Sequence, residues 1–143
     1  MIEELIKSEL DKSRLDIARI DVEKTIDCVG IFTTSDANYD ELNNELRNEK
    51  LVDEMASGNL YYLNSPIHTE YGDLRFVKVR KHDENYDNYR VYIDFVVNDY
   101  EAFKSKLDNP TIKQFGSFEL IELKNETSII NVVSLSAASD YNL

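Results

Sequence analysis

The chain opens with apolar residues at helical spacing. Ile2, Leu5, Ile6 and Leu10 recur with charges between them, which predicts an amphipathic helix over residues 1–15 within an N-terminal helical segment reaching residue 20. A stripe of this kind is ordinarily buried against its own domain; a homodimer contact is the competing use. Residues 25–33 (TIDCVGIFT) are β-branched and apolar between polar turns, so a largely buried strand is predicted there. Ser35, Asp36 and Asn38 are turn and cap types, and Tyr39, Leu42 and Leu46 then fall on one face of a second helix. Strands are predicted over 50–54, 60–64 and 74–81, with a turn at Ser57-Gly58-Asn59 and a connecting loop over 66–72. The polar run HDENYDN (82–88) is the natural linker.

After that linker the pattern starts again. Residues 90–97 (RVYIDFVV) read as a strand, Asn98-Asp99 as a turn and cap, and Tyr100, Phe103 and Leu107 as a short helix stopped by Asn109-Pro110. Strands follow over 111–115, 118–124 and 128–135, and residues 136–143 form a tail. Both halves therefore read strand, turn, helix, then three strands. Neither half is large enough to bury both faces of its own sheet, so two halves side by side predict an α+β domain in which a curved mixed sheet carries helices outside and a cleft within. The domain spans 1–143: an N-terminal helical segment at 1–20, a first βαβββ module at 21–81, a second at 89–135, and the tail.

Composition narrows the partners. With 28 acidic against 16 basic residues the formal charge is −12, and a nucleic acid or an anionic membrane surface wants the opposite balance. The expected partner is a small molecule. One cysteine, Cys28, leaves neither an intramolecular disulfide nor a paired-cysteine zinc site. The first residues are acidic where a secretion signal would be basic, and no apolar run approaches the roughly 20 residues that span a bilayer, so the expected location is the cytoplasm. Gly-rich phosphate loops, nucleophile elbows and EF-hand patterns do not occur.

Alternation puts Cys28, Gly30 and Phe32 on one face of the first strand, and Arg90, Tyr92 and Asp94 on one face of its counterpart. Cys28 is either a thiolate activated by Lys78 or a small buried apolar residue, the usual place of a free cysteine. Asp94 with Lys78 or Arg90 is either a polar cluster for an anionic metabolite or an ion pair on a solvated face. The candidate ligand-binding residues are thus Cys28, Lys78, Arg90, Tyr92 and Asp94. Tyr61, Tyr62 and Tyr71 read as core or edge aromatics, and His68 as a loop residue that could serve as a rim acid or base.

Two βαβββ units in tandem resemble the vicinal-oxygen-chelate superfamily, which includes glyoxalase I and extradiol dioxygenases, and within it the YecM-like branch. The resemblance rests on IDCVGIFT (26–33), YDELNNEL (39–46), SGNLYYLNSP (57–66), LRFVKVRK (74–81) and YIDFVV (92–97), and it covers about residues 20–135. It implies a cleft holding a divalent metal on a His from the first strand of each half and a carboxylate from a last strand. The corresponding positions here are Cys28, Tyr92 and Lys78, with only Asn131 and Ser134 on the closing strand. Transition-metal sites want imidazole and carboxylate, and a lysine there repels the ion. The expectation is therefore small-molecule binding in the cleft with no metal and no cofactor. The alternatives are an isomerase, lyase or dioxygenase with atypical ligands, a metal-free enzyme using Cys28 or Tyr92, and a protein–protein interaction module.

Overall fold

A computed structural model describes every residue from Met1 to Leu143. The N-terminal segment is not one helix. It breaks at Ser13, whose backbone (φ −91°, ψ 5°) leaves the helical region, into α1 (Ile2–Lys12) and α2 (Arg14–Ile17). The first module is β1 (Lys24–Phe32), α3 (Asp36–Glu45), β2 (Lys50–Met55), β3 (Gly58–Thr69) and β4 (Gly72–Arg80). The second is β5 (Val91–Val97), α4 (Tyr100–Ser105), β6 (Thr111–Gln114), β7 (Glu119–Lys124) and β8 (Ile129–Val133). Each module helix starts on a capping side chain: Ser35 accepts from the Asn38 N–H, and Asp99 from the Ala102 N–H. No helix is long and apolar enough to cross a membrane.

All eight strands join one curved sheet in the order β2-β3-β4-β1-β5-β8-β7-β6. Within each module the first strand runs parallel to the last; between modules β1 and β5 pair antiparallel. The registers reveal a pseudo-twofold. Cys28 lies beside Phe76 and Gly30 beside Lys78 in the first module, as Tyr92 lies beside Ile129 and Asp94 beside Asn131 in the second. The relation that carries Cys28 onto Tyr92 carries Val29 onto Ile93, and those two pair directly, so the dyad passes through them.

Alternation then separates two faces. Val29, Ile31, Val77, Val79, Ile93, Phe95, Ile130 and Val132 are all buried on the helix side. They pack with Leu42 and Leu46 at α3, Phe103 of α4, and Ile2, Ile6 and Leu10 of α1. The α1 stripe is therefore spent inside its own domain, each such side chain stabilising by about 1.5–3 kcal/mol. The N-terminal helices also straddle the seam: the Ile2 N–H donates to Glu45 at the end of α3, while Asp16 of α2 accepts from Asn125 and Ser128 of the second module.

Three further expectations need correction. Residues 66–72 are not one loop. β3 runs on to Thr69, and between the pairs Tyr62–Phe76 and Ile67–Leu74 it bulges, absorbing Pro66 where no ladder donor is needed. The tail is not loose: it forms α5 (Ala137–Tyr141), capped by Ser136 and ended by Asn142 in the left-handed region at φ 57°. The linker contains a 3-10 turn, Glu84–Tyr86, whose Tyr86 ring stacks on Phe32 at 4.8 Å between centroids.

Candidate functional site

The other face of the sheet lines a cleft of about 810 Å³, within the range of about 300–1,000 Å³ that small-molecule sites occupy. Its floor begins at a bulge in β1. Ile26 faces Phe95 and Cys28 faces Asp94, so Asp27 is an extra residue in β1. Strict alternation would send Asp27 to the helix side; the bulge turns it into the cleft beside Cys28. There its carboxylate accepts the Ala137 N–H at 3.1 and 3.2 Å, which fastens the start of α5 over one end of the cleft. Tyr141 Oη donates to Asp53 at 2.8 Å and Ser117 Oγ to Asp140 at 2.7 Å, fastening α5 to β2 and to the β6–β7 turn.

The middle of the floor is aromatic. The Tyr92 ring lies across Gly30 so closely that a Cβ on residue 30 would sit 1.7 Å from its Cε2. Gly30 is needed for this contact, not for an unusual backbone angle. The Phe32 ring adjoins Tyr92 at 5.7 Å.

Two cations line the first-module side. Lys78 Nζ donates to Ser57 Oγ at 2.6 Å and lies 3.4 Å from Met55 Sδ. The Arg80 guanidinium covers the rings of Phe32 and Tyr86, at 5.3 and 5.0 Å from their centroids. Neither takes part in any of the chain's ion pairs. Facing them, Asp94 accepts from Asn131 Nδ2 at 2.9 Å. Arg80 Nε and Asn131 Oδ1 are the only two buried side-chain polar atoms in the chain left without a partner, and both residues line this cleft.

Burial dominates the electrostatics. It pushes the Asp94 carboxyl up to about 7, against the hydrogen bond from Asn131, with the neighbouring Asp27 adding to the rise. It pushes Asp27 up to about 6, against the Ala137 N–H. It lowers Lys78, with Arg80 adding to the effect. Burial also raises Cys28 well above its ordinary value, with Asp94 and Asp27 reinforcing it and Lys78 opposing. Lys78 opposes this rise without reversing it, and the Cys28 side chain packs among Leu60 and Phe76. The Tyr92 hydroxyl is likewise held neutral by burial.

Of the candidates read from sequence, Cys28, Lys78, Tyr92 and Asp94 do line one cleft. Arg90 does not: it precedes β5, is exposed, and lines no part of the site. Arg80 stands in the cleft instead, two residues after Lys78 on β4, so alternation along β4 from Lys78 carried a signal for it. Asp27, Ser57, Asn131 as a partner of Asp94, and α5 were also missed. His68 lies on β3, exposed, 2.6 Å from Asp73, and His82 pairs with Asp87; neither lines the cleft. Tyr61 is buried, with its hydroxyl donating to Asn43; Tyr62 packs edge-on against Phe76, and Tyr71 against Phe95.

The metal that the family resemblance implies can be tested on the donors present. The positions in question hold a neutral buried thiol, a neutral phenol, an ammonium and an amide. No three His, Cys, Asp or Glu side chains gather anywhere in the chain so as to hold an ion. This donor set does not fit a divalent metal.

No protein-family model and no curated protein matches the chain. Among solved structures, one described as a structural genomics protein, EC4020, aligns with a TM-score of 0.67 at 12 % identity, covering 93 % of this chain and 86 % of its own. Another, methylmalonyl-CoA epimerase in complex with methylmalonyl-CoA and NH4+, aligns with a TM-score of 0.45 at 18 % identity, covering 81 % and 96 %. The similarity is one of architecture: the chain has an α+β fold of paired βαβββ modules on one curved, open, eight-stranded sheet.

Proposed function

We propose that this chain is a vicinal-oxygen-chelate-type protein of the YecM-like branch that binds a small anionic metabolite in its cleft without a metal. One observation carries the reading: Lys78 and Arg80 line the cleft unpaired with any carboxylate, in a chain where acids outnumber bases 28 to 16. Surface carboxylates are abundant, so two cations left without one in a concave site favour an anion from outside. Each charge-assisted hydrogen bond to such an anion contributes about 1.5–3 kcal/mol. The donor set at the positions where the resemblance expects metal ligands supports the metal-free part. The negative overall charge and the single buried thiol favour a small molecule over nucleic acid or membrane, and a cytoplasmic setting.

The test has two arms. Elemental analysis of protein prepared without chelators is expected to find no stoichiometric transition metal; one tightly bound metal per chain sinks the metal-free reading. Calorimetric titration with 3-phenylpropanoate is expected to show one site, weakened at least tenfold in both Lys78→Met and Arg80→Met. Affinity indifferent to both changes removes the anion site. An enzymatic reading is favoured by one feature, the Asp94 carboxyl held near 7, where a group exchanges protons most usefully at neutral pH.

A further inference from the structure

We infer that the molecule seated in this cleft is elongated and two-ended, with an anionic group held by Arg80 and Lys78 of the first module and a hydroxyl or amine donor held by Asn131 of the second. The inference rests on the anion-binding reading above and adds the second end, the direction and the length.

Buried polar groups in folded proteins nearly always find partners, and an orphan costs about 1–3 kcal/mol. This chain leaves two such side-chain atoms, and both belong to residues lining one cleft, on opposite modules. Their chemistry is complementary to two different groups. Arg80 Nε carries an N–H on a cation and calls for an anionic acceptor. Asn131 is 5 % exposed; its Nδ2 donates to the Asp94 carboxylate, so the atom left over is the carbonyl oxygen, which can only accept.

The surroundings of Asn131 disfavour a second anion there. In the sheet it lies between Asp94 on β5 and Glu122 on β7. Two flanking carboxylates repel a negative group and favour an O–H or N–H donor, charged or neutral. Glu122 is itself paired to Lys113 at 2.8 Å, so it does not need the ligand. The pseudo-twofold makes the contrast plain: the position matching Asn131 in the first module is Lys78. Equivalent places on the two sides of the dyad thus read opposite ends of one molecule.

The length follows from the sheet. β4 and β8 are separated by β1 and β5, three strand spacings or about 14 Å between backbones. Part of that is taken up by the side chains. A single functional group cannot bridge the rest, whereas a ring with a short alkyl arm can. The stretch between is lined by Cys28, Tyr92 and Ile129, an apolar and aromatic middle suited to such a spacer.

Matched pairs of ω-phenylalkanoates with arms of three to five carbons, bare or carrying a para-hydroxyl or para-aminomethyl group, test this by calorimetry at pH 8. At one arm length or more, a substituted acid is expected to bind at least tenfold tighter than its bare parent. In Asn131→Leu the two members of that pair should converge, and in Arg80→Met both should weaken by a similar factor. Asn131→Ser serves as a second variant if the leucine form does not fold, with far-UV spectra and melting curves as the check. Equal affinity of substituted and bare acids at every length, or a substituent gain that survives at position 131, overturns the two-ended ligand and leaves the anion site standing. If no acid binds the wild-type chain, the anion-binding reading falls and this inference with it.

Discussion

Replacing Asp94 by Asn should stabilise the protein, and by an amount that depends on pH in a defined direction. The carboxyl has an ordinary value of 3.8 and is pushed up to about 7 in the fold, chiefly by burial. A raised carboxyl means the folded state holds the proton more tightly than the unfolded chain. The cost of ionising it is absent below pH 3.8, grows as pH rises through the window from 3.8 to about 7, and is complete above that. About three pH units at about 1.4 kcal/mol each give a full cost of about 4 kcal/mol. Asn has the same shape, cannot ionise, and its amide oxygen can still accept from Asn131. Urea unfolding of the wild type and Asp94→Asn should therefore show the variant more stable by up to about 4 kcal/mol at pH 8.5, shrinking to about 2 kcal/mol at pH 5. Repulsion among the other carboxylates is common to both chains and cancels in the difference. Asp27→Asn should behave in the same direction with a smaller span, about 3 kcal/mol, because its carboxyl is raised only to about 6. A variant no more stable than wild type at pH 8.5, or a margin that fails to grow between pH 5 and 8.5, refutes the claim that Asp94 is held against its solvation.

Two further outcomes follow from the same cleft. Cys28 is buried with its thiol raised by burial and two carboxyls, so iodoacetamide at pH 8 should leave the folded protein unlabelled over hours and label it fully in urea; rapid labelling of the native chain would show an activated thiolate. Gly30→Ala drives a methyl into the Tyr92 ring, an overpacking that costs about 1–3 kcal/mol and should lower the melting temperature by about 3–10 °C, with part of the loss recovered in Gly30→Ala/Tyr92→Leu. An unchanged melting temperature in the single variant is the result that contradicts the close approach.

What could be read from the sequence was whatever depends on local periodicity. The two modules, their helices and the inward face of β1 and β5 follow from alternation and from the spacing of Tyr39, Leu42 and Leu46 against Tyr100, Phe103 and Leu107. The errors lie where periodicity is interrupted. Asp27 reaches the cleft only because β1 bulges beside it, and nothing in TIDCV marks the extra residue. Pro66 looked like a loop signal because a proline in a strand is tolerated only at a bulge or an edge, and here the bulge exists. Arg90 fits the alternation of Tyr92 and Asp94, but it falls one residue short of the strand, where alternation no longer dictates direction. The tail is short and polar, and its order comes from contacts that are distant in sequence: Ala137 with Asp27, Tyr141 with Asp53.

The dyad sharpens what this cleft is built to distinguish. The scaffold repeats closely enough that the registers of the two modules superpose, yet each related pair in the cleft differs in kind: Cys28 against Tyr92, Gly30 against Asp94, Lys78 against Asn131. A symmetric backbone offers the same Cα geometry to both sides, so any preference for one orientation of a ligand has to come from side chains. Gly30 gives up its side chain so that Tyr92 can cross the dyad, and Asp94, its counterpart, supplies the partner that orients Asn131. The half-buried carboxyls of Asp27 and Asp94 weaken the fold above neutral pH, and hydrophobic residues of similar volume would not. Groups that cost stability and are gathered in one concavity are better explained by the molecule they meet than by the fold they weaken.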